Sequence, residues 1–152
     1  MADAPTRADV LAAIPQRDPF RFVDEILELD DEHIVAAHRF RADADFYRGH
    51  FPGDPVTPGV LLVEAMAQAG VVALGIHLVA RESSLDEAKA LVSVFTDASV
   101  EFSGVVRPGE RVVIRARKVY FRRRKLRSQV EMRREDGTLV CSGTLSGMGI
   151  AR

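Results

Sequence analysis

Apolar and polar residues alternate with a period of two along the C-terminal half of the chain. Val112, Ile114 and Ala116 fall on one side of an extended segment, and Arg111, Arg115 and Arg117 fall on the other. Residues 125–133 repeat this pattern, with leucine, valine and methionine on the apolar side. Because successive side chains of a β-strand point to opposite faces, the alternation predicts strands with one buried and one solvent-facing side.

Shorter patterns predict further elements around these strands. Thr6–Ile14 has helical periodicity and is followed by a proline, which ends the predicted helix. Five more apolar segments lie between polar or glycine-containing turns and predict strands. These segments are Phe22–Leu29, His33–Phe40, Ala90–Phe95, Ser99–Phe102 and Leu139–Gly147.

The most apolar segment, Gly59–Val79, is polar only at Glu64, Gln68 and His77. About 20 apolar residues are enough to cross a bilayer, so a membrane span and a buried core helix both fit its length. The polar residues and the acidic flank at 82–87 favour the core helix. A helix that is apolar all round needs protein on every side, which the predicted strands supply. The sequence therefore predicts an α+β fold with one long helix and an antiparallel sheet.

Composition narrows the class of protein further. The 152 residues suit one domain, which we place over residues 1–152. The net charge of −1 gives no overall attraction to nucleic acids or membranes. A single cysteine, Cys141, excludes an intrachain disulfide framework and a cysteine-based zinc site. The first residues lack a long apolar run, so we expect a cytoplasmic protein without a secretory signal.

The charged residues are distributed unevenly. The segment from Arg107 to Arg134 holds 12 Lys and Arg residues against only Glu110 and Glu131. A basic region on a slightly acidic protein favours an anionic partner that contacts one face. The same charges are also typical of the solvent-facing side of a sheet, and the sequence leaves both interpretations open.

Proline and glycine concentrate in the loop before the long helix. Gly49–Gly59 contains three prolines and three glycines. Proline fixes φ and glycine allows φ > 0, so we expect a defined, stiff loop. His50 stands at the head of this loop and is a candidate base or acid, because histidine titrates near neutral pH. The alternative is a purely structural histidine.

Glu64 is the unusual residue of the long helix. A carboxylate buried without a partner is costly, so Glu64 needs a partner or a chemical role. Gln68 lies four residues further on the same helix face, where a hydrogen bond between the two side chains is able to orient the carboxyl group. Burial would raise the pKa of Glu64 towards neutrality, which suits a general acid. A structural polar pair satisfied by backbone groups is the alternative.

The start of the helix is the third candidate element. Pro58-Gly59 leaves free N–H groups at the loop, and a helix N-terminus stabilises negative charge that develops on a thioester oxygen. A base, an acid and an oxyanion donor together favour proton abstraction beside a carbonyl, with loss of a group from the β-carbon. His50 and Glu64 have no third ligand at a recognisable spacing, so we predict no metal site.

The block from Gly49 to Gln68, GHFPGDPVTPGVLLVEAMAQ, closely resembles the signature of the β-hydroxyacyl-acyl carrier protein dehydratases. The resemblance extends upstream to IPQRDPF at residues 14–20 and to Val23-Asp24, and weakly downstream to the Arg107-Pro108-Gly109 turn. It implies a hot-dog fold, in which an antiparallel sheet wraps the long helix. It also implies a homodimer at least, with a trimer of dimers as a larger assembly, and no cofactor.

The resemblance also implies roles for four residues. His50 matches the catalytic histidine, Glu64 matches the catalytic acid, and the N–H of Gly59 matches the group that binds the thioester oxygen. Gln68 matches a supporting polar residue. In that family the histidine and the acid of one site come from opposite subunits. Glutamate at position 64 resembles the dehydratase-only branch, which converts (3R)-hydroxyacyl groups on acyl carrier protein to trans-2-enoyl groups in acyl-chain biosynthesis.

The sequence departs from the usual family pattern at several positions and leaves other functions open. The family usually has histidine, tyrosine, an apolar pair, methionine and a basic-proline turn where this chain has Gln16, Asp18, Arg21-Phe22, Thr57 and Ser103-Gly104. These departures concern the acyl tunnel and the carrier-docking surface and leave the proposed acid, base and oxyanion donor in place. A hot-dog thioesterase, a CoA-linked enoyl hydratase and a non-catalytic acyl-binding paralogue remain the alternatives.

Overall fold

The computed structural model of the chain describes residues 2–152. Its helices are Arg7–Ala13, Leu85–Lys89 and a long core helix, Gly59–Glu82, and a 3-10 turn spans Asp45–Arg48. The strands are β1 (Glu25–Leu29), β2 (His33–Arg39), β3 (Leu91–Phe102), β4 (Arg111–Arg122), β5 (Lys125–Arg134) and β6 (Leu139–Ala151).

The strands form one antiparallel sheet in the order β1-β2-β4-β5-β6-β3. At its centre, Ala116 of β4 pairs with Ile34 on one side and Val130 on the other. These three side chains are buried in the core that the sheet forms with the core helix, whereas Arg115 and Arg117 of the same strand are exposed. The expected alternation of buried and exposed positions along β4 is therefore confirmed.

The middle of the core helix lies very close to the sheet at Gly70. A Cβ atom built there would lie 2.9 Å from side-chain atoms of both Ala116 and Val130, so glycine allows this approach. Around this point, Gln68–Ala73 winds as a π-helix between two α-helical parts. The hydroxyl of Ser128 donates to the Gly70 carbonyl at 2.6 Å, which satisfies a backbone acceptor in the buried contact.

One long helix packed in the curve of an antiparallel sheet is the hot-dog arrangement, and the predicted α+β fold is confirmed. By length and composition alone the core helix could cross a membrane, but 67% of its most apolar window is buried inside the protein. Its apolar residues form the centre of the core, as expected of the helix that the sheet wraps.

The expectation of two short strands before the basic hairpin is wrong. Apart from Ala90, the segments Ala90–Phe95 and Ser99–Phe102 both fall within one 12-residue strand, β3, because the residues between them continue the pairing with β6. The register shifts between Phe95 and Asp97, which is a bulge-type irregularity. Asp97 accepts a hydrogen bond from Arg127 at 3.0 Å, and this ion pair ties the irregular part of β3 to β5.

Several boundaries also differ from the expected ones. β1 begins at Glu25 rather than Phe22, because the Phe22 N–H donates to the side chain of Gln68 instead of a neighbouring strand. The core helix and β6 each continue a few residues beyond their expected ends. The helix expected over Thr6–Ile14 is confirmed, and a capping box at its first turn fixes where it begins.

Candidate active site

Hydrogen bonds fix the conformation of the loop before the core helix. They form within the loop and between the loop and the segment that joins β3 to β4. The Val56 N–H donates to His50 O at 2.9 Å, and the Thr57 N–H donates to Val106 O at 2.9 Å. The hydroxyl oxygens of Tyr47 and Thr57 lie 2.6 Å apart in the interior. These contacts give the loop the defined conformation that its proline and glycine content predicts.

This loop orients the imidazole ring of His50. Nδ1 lies 2.8 Å from Val56 O, and because a carbonyl oxygen only accepts, Nδ1 carries the proton in this contact. The neutral ring therefore keeps its lone pair on Nε2, where a general base needs it. The ring also stacks on Phe51, with centroids 4.1 Å apart, which fixes the plane of the imidazole.

Glu64 lies one turn before Gln68, and their side chains form the expected hydrogen bond. Gln68 Nε2 donates to Glu64 Oε2 at 2.9 Å and to Phe20 O at 2.9 Å. Gln68 Oε1 accepts from the Phe22 N–H at 2.7 Å. Since a backbone N–H only donates, this last contact fixes which end of the amide faces Glu64. The fully buried Gln68 thus holds the carboxyl group in place relative to residues 20–22.

Burial controls the protonation of Glu64. Its side chain is half-buried, and desolvation raises its pKa, while the hydrogen bond from Gln68 offsets only part of this effect. Within residues 2–152, no cationic side chain contributes to the pKa of this carboxyl group. Glu64 therefore keeps its proton to a higher pH than an ordinary glutamate, which is the property that a general acid requires.

The first turn of the core helix provides hydrogen-bond donors. The N–H groups of Leu61 and Leu62 donate to Pro58 O, whereas those of Gly59 and Val60 have no acceptor among residues 2–152. These two groups are the ones that a helix N-terminus offers to developing negative charge. A Cβ atom at Gly59 would lie 3.3 Å from the ring of Phe102, so a side chain here would press against the end of β3.

The predicted site residues fall into two groups within one chain. Glu64 and Gln68 are in direct contact, whereas His50 and Gly59 stand at the two ends of the stiff loop. In the described part of this single chain, His50 and Glu64 form no hydrogen bond with each other. The described part of a single chain therefore brings together the acid and its orienting amide but does not join them to the base.

The sequence did not indicate that backbone groups of Phe20 and Phe22 hold Gln68. These residues lie 48 and 46 positions before Gln68, and no local pattern connects the two segments. Across residues 2–152, no group of three or more His, Cys, Asp or Glu side chains is placed to bind a metal ion. The expected absence of a metal and of a cofactor stays a prediction.

Solved structures of other proteins share this fold. The dehydratase heterocomplex ApeI:P from Xenorhabdus doucetiae superimposes with a TM-score of 0.76 at 17% identity, covering 94% of this chain and 91% of that chain. A mutant thioesterase from Pseudomonas aeruginosa gives a TM-score of 0.69 at 16% identity, covering 99% and 97%. The fold thus defines the chain as a hot-dog protein, a class that includes dehydratases and thioesterases.

Sequence similarity identifies the family within this class. The sequence matches the FabA-like domain over residues 14–145, and the chain belongs to this family. The 3-hydroxyacyl-[acyl-carrier-protein] dehydratase FabZ of Streptococcus pyogenes serotype M3 is 40% identical over 141 residues, which are 91% of this chain and 94% of the relative. FabZ of serotype M1 of the same species has the same identity and coverage. The family resemblance inferred from the sequence block is confirmed.

Proposed function

We propose that this protein dehydrates (3R)-3-hydroxyacyl groups to trans-2-enoyl groups while the acyl chain is held as a thioester on acyl carrier protein. The observation that carries this proposal is the combination of an oriented imidazole at His50, with Nε2 as the base, and a half-buried carboxyl group at Glu64 that has no cationic partner among residues 2–152. FabZ relatives that are 40% identical to the chain are dehydratases of 3-hydroxyacyl carrier substrates, which supports the same reaction here.

The proposed reaction is a β-elimination. His50 Nε2 removes a proton from the α-carbon, and the N–H of Gly59 donates to the thioester oxygen as negative charge develops there. The electron pair then forms the α,β double bond while the bond from the β-carbon to its hydroxyl breaks. Glu64 donates its proton to this hydroxyl, which leaves as water. Gln68 keeps the carboxyl group oriented and does not exchange protons itself.

A dehydration assay on 3-hydroxyacyl carrier substrates of several chain lengths tests the proposal. We expect the wild-type protein to form the enoyl product, and His50→Ala to lose about 10²–10⁴-fold in rate, because that range is typical for a positioned base. Release of free thiol would instead support the thioesterase alternative, and activity on CoA thioesters alone would support the CoA-linked hydratase. No conversion of any substrate would support the non-catalytic paralogue.

We further propose that two protomers build each site, because His50 and Glu64 form no hydrogen bond with each other within residues 2–152 of one chain. β3 stands at the edge of the sheet, and its side chains include Val94, Phe95 and Phe102, which are 44%, 49% and 51% exposed. A long, apolar edge strand is a ready template for pairing with a second chain. Since Phe102 also contacts the start of the core helix, a partner on β3 would lie next to Gly59.

Mixing two inactive variants tests the shared site. His50→Ala and Glu64→Gln protomers combined in one dimer leave one intact pair of His50 and Glu64, so activity should return on mixing. If the subunits exchange, as mass spectrometry of the mixed dimers would show, and activity stays absent, the base and acid come from one chain. A larger assembly, such as a trimer of dimers, and the cytoplasmic location stay predictions.

The proposed docking surface for the acidic carrier protein is the hairpin tip between β4 and β5. Arg124 pairs with Glu87 at 2.8 Å, whereas Arg122 and Arg123 have no carboxylate partner among residues 2–152. Arg123 and Arg124 have φ values of 51° and 62°, a conformation that costs roughly 1–2 kcal/mol per non-glycine residue. Glycine or asparagine adopts this backbone conformation at a lower cost than arginine does. The presence of arginine at both positions therefore supports a role for the positive charge of the turn.

Charge reversal at the tip tests this surface. Arg122→Glu with Arg123→Glu should raise KM for carrier-bound substrate severalfold at low salt and less at high salt, because exposed charge pairs are screened. Turnover of a short thioester without the carrier serves as the control and should be unaffected. The same loss on both substrates would indicate damage to the fold, and no loss on either would assign these arginines to the solvent-facing side of the sheet.

A further inference from the structure

An aromatic ring lies beneath one of the two free arginines at the hairpin tip between β4 and β5. The guanidinium carbon of Arg122 lies 4.6 Å from the centre of the Tyr120 ring, within the range of a cation–π contact. Among residues 2–152, Arg123 has neither a carboxylate partner nor a ring beneath it. The fold therefore holds the side chain of Arg122 and leaves that of Arg123 free.

A bulge-type irregularity in β4 precedes this pair of residues. The pairing of β4 with β5 shifts just before Tyr120, and beyond the shift Tyr120 pairs with Arg127. Arg122 pairs with Lys125 at the end of the hairpin. Residues two apart on one strand share a face of the sheet, and so do directly opposite residues of neighbouring strands. Because Phe121 packs against the core, these four side chains point away from it.

A second arginine contacts the Tyr120 ring from the neighbouring strand. The guanidinium carbon of Arg127 lies 5.6 Å from the ring centre. Its Nε donates to Ser146 Oγ at 2.9 Å, and a terminal nitrogen donates to Asp97 Oδ2 at 3.0 Å. Because Asp97 neutralises Arg127 and two hydrogen bonds hold it, this arginine supports the ring rather than attracting a ligand.

Positive charge predominates in the hollow beside Tyr120. This open hollow at the hairpin tip has a volume of about 470 Å³ and is lined by Tyr120, Met148 and three cationic side chains, Arg122, Arg123 and Lys125. Within residues 2–152 its lining holds no carboxylate. Side chains of one charge sign that line a hollow attract an anionic group, and the arginine on the ring is one of them.

An arginine that is held in place before binding recognises an anion better than a free one does. A free arginine side chain loses rotamer freedom when it pairs with a partner, and this loss of entropy opposes binding. A guanidinium group that already lies on a ring loses less, and stacking leaves its N–H groups free to donate. The side chain of Arg122 has no carboxylate partner among residues 2–152 that would compete with an anionic group.

We propose that Tyr120 is a positioning residue for carrier recognition, whose ring holds Arg122 in the orientation in which it pairs with an anionic group of the acidic carrier protein. The inference rests on the proposed function and on the docking surface proposed with it, and it adds the group that organises this surface. In this role Tyr120 contacts neither the acyl chain nor the reacting atoms. Its contribution should therefore fall on KM for carrier-bound substrate rather than on kcat.

Two substitutions of Tyr120 test the role of the ring. Tyr120→Leu removes it and should raise KM for a 3-hydroxyacyl carrier substrate about two- to fivefold at low salt, the range of an exposed cation–π contact. Tyr120→Phe keeps the ring and should change KM by less than about twofold. The rise should shrink at high salt, because the pairing that the ring supports is screened. If Tyr120→Leu does not fold, Tyr120→Val replaces it, since valine has the higher strand preference.

A double-mutant cycle with each arginine separates positioning from general damage to the hairpin. Arg122→Gln should raise KM, and adding Tyr120→Leu to it should give no further rise, because the ring then has no free arginine to hold. Arg123→Gln is the matched control, since it removes a charge of the same turn that no ring supports. The effects of Arg123→Gln and Tyr120→Leu on KM should therefore multiply. A merely structural role of Tyr120 would give multiplied effects with both arginines.

The outcomes distinguish this inference from the proposals on which it rests. If wild-type protein forms no enoyl product, the proposed function is wrong, and the role of Tyr120 is wrong with it. If it forms the product and Arg122→Gln leaves KM unchanged, the function stands, and the roles of Arg122 and Tyr120 are wrong. If Arg122→Gln raises KM but Tyr120→Leu does not, or if their effects multiply, only the role of Tyr120 is wrong. A fall in kcat without a rise in KM in Tyr120→Leu would also overturn it.

Discussion

Two carboxyl groups form hydrogen bonds with polar side chains of the core helix, and their partners differ. One group, Glu64, lies near the start of the helix, and the other, Asp31, contacts residues near its end. Glu64, near the start, accepts a hydrogen bond from the neutral amide of Gln68 at 2.9 Å. About 20 Å further along the helix, the ring of His77 donates to Asp31 at 2.7 Å, and Arg81 donates to the same carboxylate at 3.2 Å. Among residues 2–152, the first acid has no cationic partner, whereas the second has an arginine and a histidine.

Together with the deeper burial of Glu64, this difference in partners shifts the pKa values of the two acids in opposite directions. Burial raises the pKa of Glu64, and the hydrogen bond from Gln68 compensates only in part. The hydrogen bond from His77, assisted by Arg81, lowers the pKa of Asp31 despite some burial. A protonated acid is able to donate its proton, whereas an ionised one is suited to anchoring neighbouring segments. Deeper burial at Glu64, and the hydrogen bonds from His77 and Arg81 at Asp31, therefore give the pKa values of the two acids opposite shifts.

The largest expected effect distinguishes the two acids by activity. Glu64→Gln should lower the dehydration rate by about 10²–10⁴-fold, because the amide has the shape of the acid but no proton to transfer. Asp31→Asn makes the matching change in the other pair and should leave kcat/KM near the wild-type value. The kcat/KM values of both variants are measured with the same carrier-bound substrate on folded protein. Near-wild-type turnover of Glu64→Gln would contradict the role of Glu64 as the general acid. An equal loss of activity in Asp31→Asn would contradict the structural role of Asp31.

The second prediction concerns Gln68, which links the acid to the backbone of Phe20 and Phe22. Gln68→Met keeps the volume but removes these hydrogen bonds, so the free energy of unfolding should fall by about 1–3 kcal/mol. Glu64 would also lose the contact that favours its charged form, so its pKa should rise further. The high-pH limb of the kcat profile should therefore move to higher pH.

This profile separates a positioning role from a merely structural one. A structural role of Gln68 would change stability and leave the pH limb of kcat in place. Gln68→Glu is a useful comparison, because a second carboxyl group at this position would raise the pKa of Glu64 by repulsion as well. A high-pH limb that shifts in neither variant would show that Glu64 does not control it.

Local spacing was sufficient to predict the pair at the start of the helix. Glu64 and Gln68 lie four residues apart on an apolar helix, and this distance alone places their side chains in contact. The stiff loop and the alternating strand β4 were predictable for the same reason, because φ restriction and side-chain periodicity are properties of neighbouring residues. These features survive in the fold because their packing agrees with their local preference.

Features that depend on distant partners could not be predicted from the sequence. The π-helical turn of the core helix coincides with the approach of Gly70 to β4 and β5 and with the hydroxyl of Ser128, 58 residues later. The pairs of His77 with Asp31 and of His38 with Asp24 each join different elements, so both histidines read as ordinary helix or strand residues in the sequence. The partner of Glu64 across a subunit interface remains a prediction for the same reason.

The third prediction is a stability effect at the far end of the helix. Asp31→Asn should reduce the free energy of unfolding by about 1 kcal/mol at neutral pH, because Asp31 is partly exposed and its hydrogen bonds to His77 and Arg81 are partly screened. The lowered pKa of Asp31 means that its contribution is present above the unfolded-state pKa and is lost as the pH falls through the folded-state value. Denaturant unfolding at neutral and acidic pH measures the free energy of unfolding of both proteins. At acidic pH the value for Asp31→Asn should equal that of the wild type.

The smallest expected effect is the opposite pH dependence at Glu64. Because burial raises the pKa of Glu64, the unfolded chain releases this proton at lower pH than the folded protein does. Wild-type stability should therefore fall, relative to Glu64→Gln, as the pH rises from about 4 through the folded-state pKa of this group, and the gap should stay constant above it. The Glu64→Gln variant should be the more stable protein at neutral pH, as expected where a buried acid is kept for its chemistry.

Unfolding curves of both proteins across this pH range give the difference in stability directly. They are recorded at one protein concentration, because any association of chains would contribute to stability. A difference in stability that does not change with pH would mean that the folded protein solvates or pairs the Glu64 carboxylate, and would contradict the opposite pKa shifts of Glu64 and Asp31.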